Sequence, residues 1–176
     1  PKRLGRLGIH DLAGTDDAVW FSVPHAGVVG RIDPENHTGT VDVTEYHVGT
    51  GSRPTALAAG VDGDVWFVDS ATGTLGRIAA GRVHRTPLPA IGRGPADIAV
   101  VPSRDVVAVT SEATDRLVLV SIGDPRRVQQ VDLGTHPGRK VTPTAVSRGP
   151  DGAVWVAAAV PNALARVDES GQVRWF

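Results

Sequence analysis

The residues that could do chemistry in this chain are His25, Arg53, Asp69, Arg93, Glu112, Asp115, His136, Arg139 and Lys140. A histidine near two carboxylates can move a proton or hold a hard divalent cation. No His, Asp or Glu here recurs at a spacing that fixes a metal site. The same residues therefore read first as a solvated loop rim of mixed charge. His10, His47 and His84 lie in or beside apolar runs and read as surface or hydrogen-bonded histidines. Cysteine is absent, which excludes thiolate nucleophiles, thiolate metal sites and disulfides. No G-x-S-x-G elbow occurs, and no glycine-rich loop opens a helix to cradle phosphate.

The elements that must position these residues are short strands. The stretch Gly63-Asp64-Val65-Trp66-Phe67-Val68-Asp69-Ser70-Ala71-Thr72-Gly73-Thr74-Leu75-Gly76-Arg77-Ile78 reads as strand, tight loop, strand. Three further stretches share the pattern. They run from Trp20 to Arg31, from Ala108 to Leu119 and from Trp155 to Arg166, always 11 residues apart, as in Trp66 to Arg77. The first member advances by 46, 42 and 47 residues from copy to copy. A hairpin of fixed internal spacing repeated with a period in the forties predicts propeller blades.

Each copy extends on both sides. Before the Trp strand comes a run of small and branched residues such as Pro54-Thr55-Ala56-Leu57-Ala58-Ala59, then a turn such as Asp62-Gly63 or Asp151-Gly152. Asp-Gly between apolar runs predicts a hairpin, because glycine supplies the positive φ that the turn needs. Small side chains suit an innermost strand near a crowded axis. After the Arg strand comes an outer strand of alternating polarity, such as Val43-Thr44-Glu45-Tyr46-His47. No run shows a helical period, and Gly or Pro interrupts every dozen residues or fewer. The expected fold is all-β: one propeller over 1–176, with four four-stranded antiparallel blades at about 8–48, 54–88, 95–133 and 143–176. Trp20, Trp66 and Trp155 are expected between blades. Arg31, Arg77 and Arg166 recur at one repeat position and are expected to tie blade to blade.

The pattern P-x-A-hydrophobic-A, G-P-D-G, V-W-F, then L-G-R-I, with an outer strand like V-T-E-Y, resembles the streptogramin B lyase (virginiamycin B lyase-like) propellers. Its repeat style is also similar to NHL and gluconolactonase-type propellers. The resemblance implies a seven-bladed enzyme that linearises a cyclic depsipeptide antibiotic by elimination with Mg2+. It implies that activity rests on His in P-H-hydrophobic positions of innermost strands and on Glu closing W-F-T-E strands. The His position falls here on Ile9, Thr55, Ala96 and Thr144, and the Glu position on Val23, Asp69, Ser111 and Ala158. Only Asp69 keeps a carboxylate, and Glu112 lies one residue beyond its slot. The blade is retained and the acid–base set is not.

These readings favour a non-catalytic binding or assembly scaffold, with ligand-face candidates His25, Arg53, Asp69, Arg93, Glu112 and His136 and no cofactor. A lyase-like enzyme using a divalent metal is the alternative, and a designed or dissected half-propeller is another. A formal net charge of −1 gives no reason to expect nucleic acid or an anionic membrane as partner. No apolar run approaches the roughly 18 residues of a membrane span. The start Pro1-Lys2-Arg3 has no apolar run behind it, so no signal peptide is expected and a cytoplasmic location is. Met is absent, which points to a removed initiator or a processing or cloning cut. Four such blades leave two apolar faces bare, so a homodimer forming an eight-bladed ring is expected.

Overall fold

The computed structural model describes residues 8–34, 42–88, 94–134, 138 and 140–176. Among these the chain forms four four-stranded antiparallel sheets. Blade one holds β1 (Leu12–Gly14), β2 (Val19–Val23), β3 (Val28–Ile32) and β4 (Val43–His47). Blade two holds β5 (Pro54–Ala59), β6 (Val65–Asp69), β7 (Thr74–Ala79) and β8 (Arg82–Pro87). Blade three holds β9 (Pro95–Val101), β10 (Val106–Ser111), β11 (Arg116–Ser121) and β12 (Val128–Asp132). Blade four holds β13 (Thr142–Arg148), β14 (Val154–Val160), β15 (Ala163–Val167) and β16 (Val173–Trp175). In each blade the strands lie in chain order, and blade packs on blade in sequence. The only helical pieces among the described residues are two 3-10 turns, Pro24–Ala26 and Pro102–Arg104.

The 11-residue spacing has a simple cause. Trp20 and Arg31 are direct cross-strand partners, as are Trp66 and Arg77, Ala108 and Leu119, and Trp155 and Arg166. The Arg77 guanidinium lies 5.1 Å from the centre of the Trp66 ring, and that of Arg31 5.9 Å from Trp20. Each Arg also pairs with an Asp of the turn before its own Trp strand: Arg31 with Asp17 at 2.8 Å, Arg77 with Asp64, and Arg166 with Asp151 at 2.6 Å. These arginines therefore act inside their own blade, not between blades as the repeat suggested. They close the polar end of the Trp slot, and blade three, with Ala108 and Leu119, has no such clamp.

The turn glycines are as expected. Gly63 and Gly152 have φ of 73° and 75°, and Asp105 holds the same place in blade three at 52°. The glycine of L-G-R-I has a different reason. A Cβ on Gly76 would lie 1.9 Å from Cζ of Phe67, and one on Gly30 would lie 2.1 Å from Cζ of Phe21. Blade three resolves the same contact with Val109 opposite Val118, and blade four with Val156 opposite Ala165. Gly76→Val alone should thus destabilise by about 1–3 kcal/mol through overpacking. Adding Phe67→Val, which copies blade three, should recover part of that loss in urea unfolding. A double variant less stable than the single one would contradict this pairing.

The sheet faces meet in apolar seams. Trp20 and Val29 of blade one pack on Leu57, Val65, Phe67 and Ile78 of blade two. Trp66, Val68 and Leu75 of blade two pack with Ile98, Val107 and Val109 of blade three. Leu117 and Leu119 of blade three pack with Val146, Val154 and Val156 of blade four. The inner strands carry a second tie. Asp11 Oδ2 accepts from the Leu57 N–H at 2.7 Å, and Asp97 Oδ2 from the Val146 N–H at 2.9 Å. The matching position in blades two and four is alanine, Ala56 and Ala145, so the tie is made at alternate junctions.

Candidate functional site

The loops after the Trp strands and those leading into the inner strands share one end of the blades. Asp69 closes β6 there and is fully buried. Its Oδ1 accepts from the N–H groups of Arg53 (2.9 Å), Ala71 (3.1 Å) and Thr72 (3.3 Å). Its Oδ2 pairs with Nη2 of Arg85 at 2.8 Å. Arg85 also donates to Thr72 Oγ1 and, across the seam, to the Val48 carbonyl of blade one. Burial opposes ionisation of Asp69. The hydrogen bonds from Arg53, Thr72, Ser52 and Ala71 outweigh it and hold the carboxyl below the usual carboxylate range. Asp69 is therefore saturated within the fold. Ser111 takes the same slot in blade three, buried, donating to the Gly94 carbonyl and accepting from the Ala113 N–H. Val23 and Ala158 fill the other two slots with buried apolar groups.

The other predicted site residues are spread along this rim. His25 is exposed on the 3-10 turn Pro24–Ala26. Arg53 is exposed, and its backbone N–H is its link to Asp69. Glu112 and Lys140 are exposed and Asp115 is half-buried. Arg93, His136 and Arg139 lie outside the described residues. Of the described candidates, the structure joins Arg53 to Asp69 and leaves His25, Glu112 and Lys140 without a hydrogen bond to either. Among the described residues no group of three His, Asp or Glu side chains is placed to hold a metal ion. The described side chains therefore do not fit a Mg2+ site.

Strand register relocates one residue. Leu12 pairs with Phe21 as Leu57 pairs with Phe67 and Val146 with Val156. A bulge follows Pro54 and Pro143 in the inner strands. Counting back from Leu12, the slot of Thr55, Ala96 and Thr144 in blade one falls on His10, not on Ile9 as the sequence spacing implied. His10 is exposed, and its Nδ1 lies 3.2 Å from the Thr55 carbonyl. A carbonyl can only accept, so Nδ1 is the donor in this contact, and Nε2 is the accepting nitrogen whenever the ring is neutral. Ser22 Oγ donates to the same carbonyl at 2.9 Å and accepts from the Asp11 N–H at 3.1 Å. The histidine is thus held in one tautomer by the seam between blades one and two. Sequence spacing missed it because Pro54, Pro95 and Pro143 mark the slot in three blades and blade one has no proline there.

No helix among the described residues is long and apolar enough to cross a membrane. The chain matches the virginiamycin B lyase family over residues 4–176. No curated protein sequence matches. A solved streptogramin B lyase superposes with a TM-score of 0.82 at 20% identity, over 97% of this chain and 54% of that one. A catalytically inactive virginiamycin B lyase from Staphylococcus aureus, solved with quinupristin, gives 0.83 at 25% identity, over 98% and 57%. A selenomethionine-substituted virginiamycin B lyase from Staphylococcus aureus gives 0.83 at 23% identity, over 100% and 57%. The chain spans a little over half the length of these solved lyases.

Proposed function

The chain belongs to the virginiamycin B lyase family, and we propose that it acts as a non-catalytic binding and assembly scaffold, an arc of four blades closed into a ring by a second copy. The observation that carries this reading is the exposure of residues whose repeat equivalents are buried. Leu12, on the outer face of blade one, is 61% exposed, whereas Leu57, Ile98 and Val146 at the same position are 7%, 4% and 8% exposed. Leu164, on the outer face of blade four, is 48% exposed, whereas Val29, Leu75 and Leu117 are at most 1% exposed. Val19 and Phe176 extend these two bare faces. Within the chain such a face is always covered by another blade, so a blade is the occupant that fits it.

A second copy continues the pattern already present. The inner-strand series Asp11, Ala56, Asp97, Ala145 alternates. Blade four of one chain against blade one of another makes an Ala-to-Asp junction, the kind found between blades two and three. Closure with eight blades needs about 45° per blade, against about 51° in a seven-bladed ring. A small opening at each seam supplies the difference. The expected results are a dimer by light scattering and a melting temperature that rises with protein concentration. Leu164→Asp should give monomers, since a buried unpaired charge is costly at a seam. A stable 18.4 kDa wild-type chain with concentration-independent melting would overturn closure by a second copy and leave three further blades as the occupant.

The saturated state of Asp69 supports the non-catalytic half of the proposal. The strand-end slots offer no free carboxylate to act as an acid. One observation favours the lyase reading instead: the Nδ1 of His10 is held by the Thr55 carbonyl, which leaves Nε2 of the neutral ring as the accepting nitrogen a general base would use. Incubation with quinupristin and Mg2+ separates the two. The scaffold reading expects no linear product by mass spectrometry. Turnover that His10→Ala abolishes without lowering the melting temperature would favour the enzyme.

A further inference from the structure

Blade three carries a wider cleft at the end of its Trp slot than blades two and four do. In blade two, the Asp64–Arg77 ion pair seals the outer end of the Trp slot. In blade three the same two positions are Val106 and Leu119, and alanine stands in place of tryptophan at 108. The result is a cleft of about 600 Å³ over Val106, Leu119 and Val128. The cleft beside Trp66 and Arg77, shared by blades two and three, measures about 280 Å³, and the one beside Arg166 in blade four about 320 Å³. The 600 Å³ of blade three lies well inside the usual range of small-molecule sites.

The rim of the cleft is basic. Arg104, Arg126 and Arg127 line it, together with Gln129. Two carboxylates oppose these three guanidinium groups. Asp105 accepts a hydrogen bond from Ser121 Oγ at 2.8 Å, and Asp124 faces Arg126 at 3.8 Å. Arg104 is half-buried and anchored, its Nη1 donating to the Val167 carbonyl of blade four at 3.3 Å. The Arg127 side chain has no partner among the described residues. An anchored Arg and an unpaired one beside Val106 suit a flat group that carries an anion, which guanidinium groups bind by paired donors and by stacking.

We propose that this cleft binds a small aryl anion, with the ring against the half-buried Val106 and the anionic group between Arg104 and Arg127. This site lies on the outer part of blade three, away from the loop rim of Asp69 and His10, and does not depend on ring closure.

Phenyl phosphate is the probe that tests it, with inorganic phosphate as the control for charge alone. Isothermal titration of the full chain should show one site for phenyl phosphate, at least tenfold tighter than inorganic phosphate. Arg127→Ala, an exposed change that leaves packing intact, should weaken binding at least tenfold, and Arg104→Ala should do the same. Val106→Asp with Leu119→Arg rebuilds the clamp of blade two and should abolish binding while the chain still melts cooperatively. Phenyl phosphate that fails to bind, that binds no tighter than inorganic phosphate, or that binds unchanged in Arg127→Ala and Arg104→Ala overturns the site.

Discussion

Replacing Trp66 by alanine is expected to destabilise the chain by about 3–5 kcal/mol, the upper range for large-to-small core changes. Trp66 is 2% exposed and lies in the seam between blades two and three, against Ile98, Val107 and Val109. Truncation would open a cavity between two sheets that cannot collapse without shifting a whole blade. It would also strip Arg77 of the ring it covers, leaving the guanidinium only its pairing with Asp64. Trp66→Phe separates packing from polarity. Nε1 of Trp66 is buried without a hydrogen-bond partner, so its removal costs no bond. Trp66→Phe should therefore cost well under half of Trp66→Ala in urea unfolding. A cost below about 1 kcal/mol for Trp66→Ala would mean that the seam is not where the stability lies.

The second large effect is expected at Asp69. Asp69→Ala leaves the N–H groups of Arg53, Ala71 and Thr72 without their acceptor and removes the carboxylate paired with Arg85. Unmade hydrogen bonds of this kind place the cost at about 2–4 kcal/mol. The effect should depend on pH. Asp69 has a lowered pKa in the folded chain, so the unfolded chain takes up its proton first as pH falls. Its stabilising contribution is complete above the ordinary carboxylate range, near pH 4, and is lost as pH falls through the lower folded value. The gap between wild type and Asp69→Asn in urea unfolding should therefore be full at pH 7 and shrink steadily below pH 4. A gap independent of pH would show that hydrogen-bond geometry alone, and not the charge, is what Asp69 supplies.

These expectations differ from a catalytic role for the same residue. Asp69 is the one carboxylate at its repeat position, and by sequence it was the natural choice for an acid. The structure gives it four partners and no solvent. Ser111 makes analogous bonds in blade three with a hydroxyl, which shows that the slot asks for a loop-closing acceptor or donor rather than for a charge. His10 shows the reverse. It read as an ordinary surface histidine, and its fixed tautomer depends on Thr55 of the next blade, 45 residues away.

The blades were legible in the residues alone. The Trp-to-Arg interval, the period in the forties and the Asp-Gly turns are local facts, because a hairpin's register follows from its own loop and alternation. Hence the four four-stranded sheets and the positive φ of Gly63 and Gly152 were legible in the residues. Tertiary structure alone decided the rest. Arg77 could not be assigned to its own blade or the next until Asp64 was seen against it. The need for glycine at Gly76 comes from the Phe67 ring packed over it, a contact that no local pattern shows. The slot of His10 turned on inner-strand register and a bulge, where one residue of slip changes which side chain faces the axis. The bare faces at Leu12 and Leu164 follow from which repeats have a neighbour, and a repeat reads the same whether or not one is there.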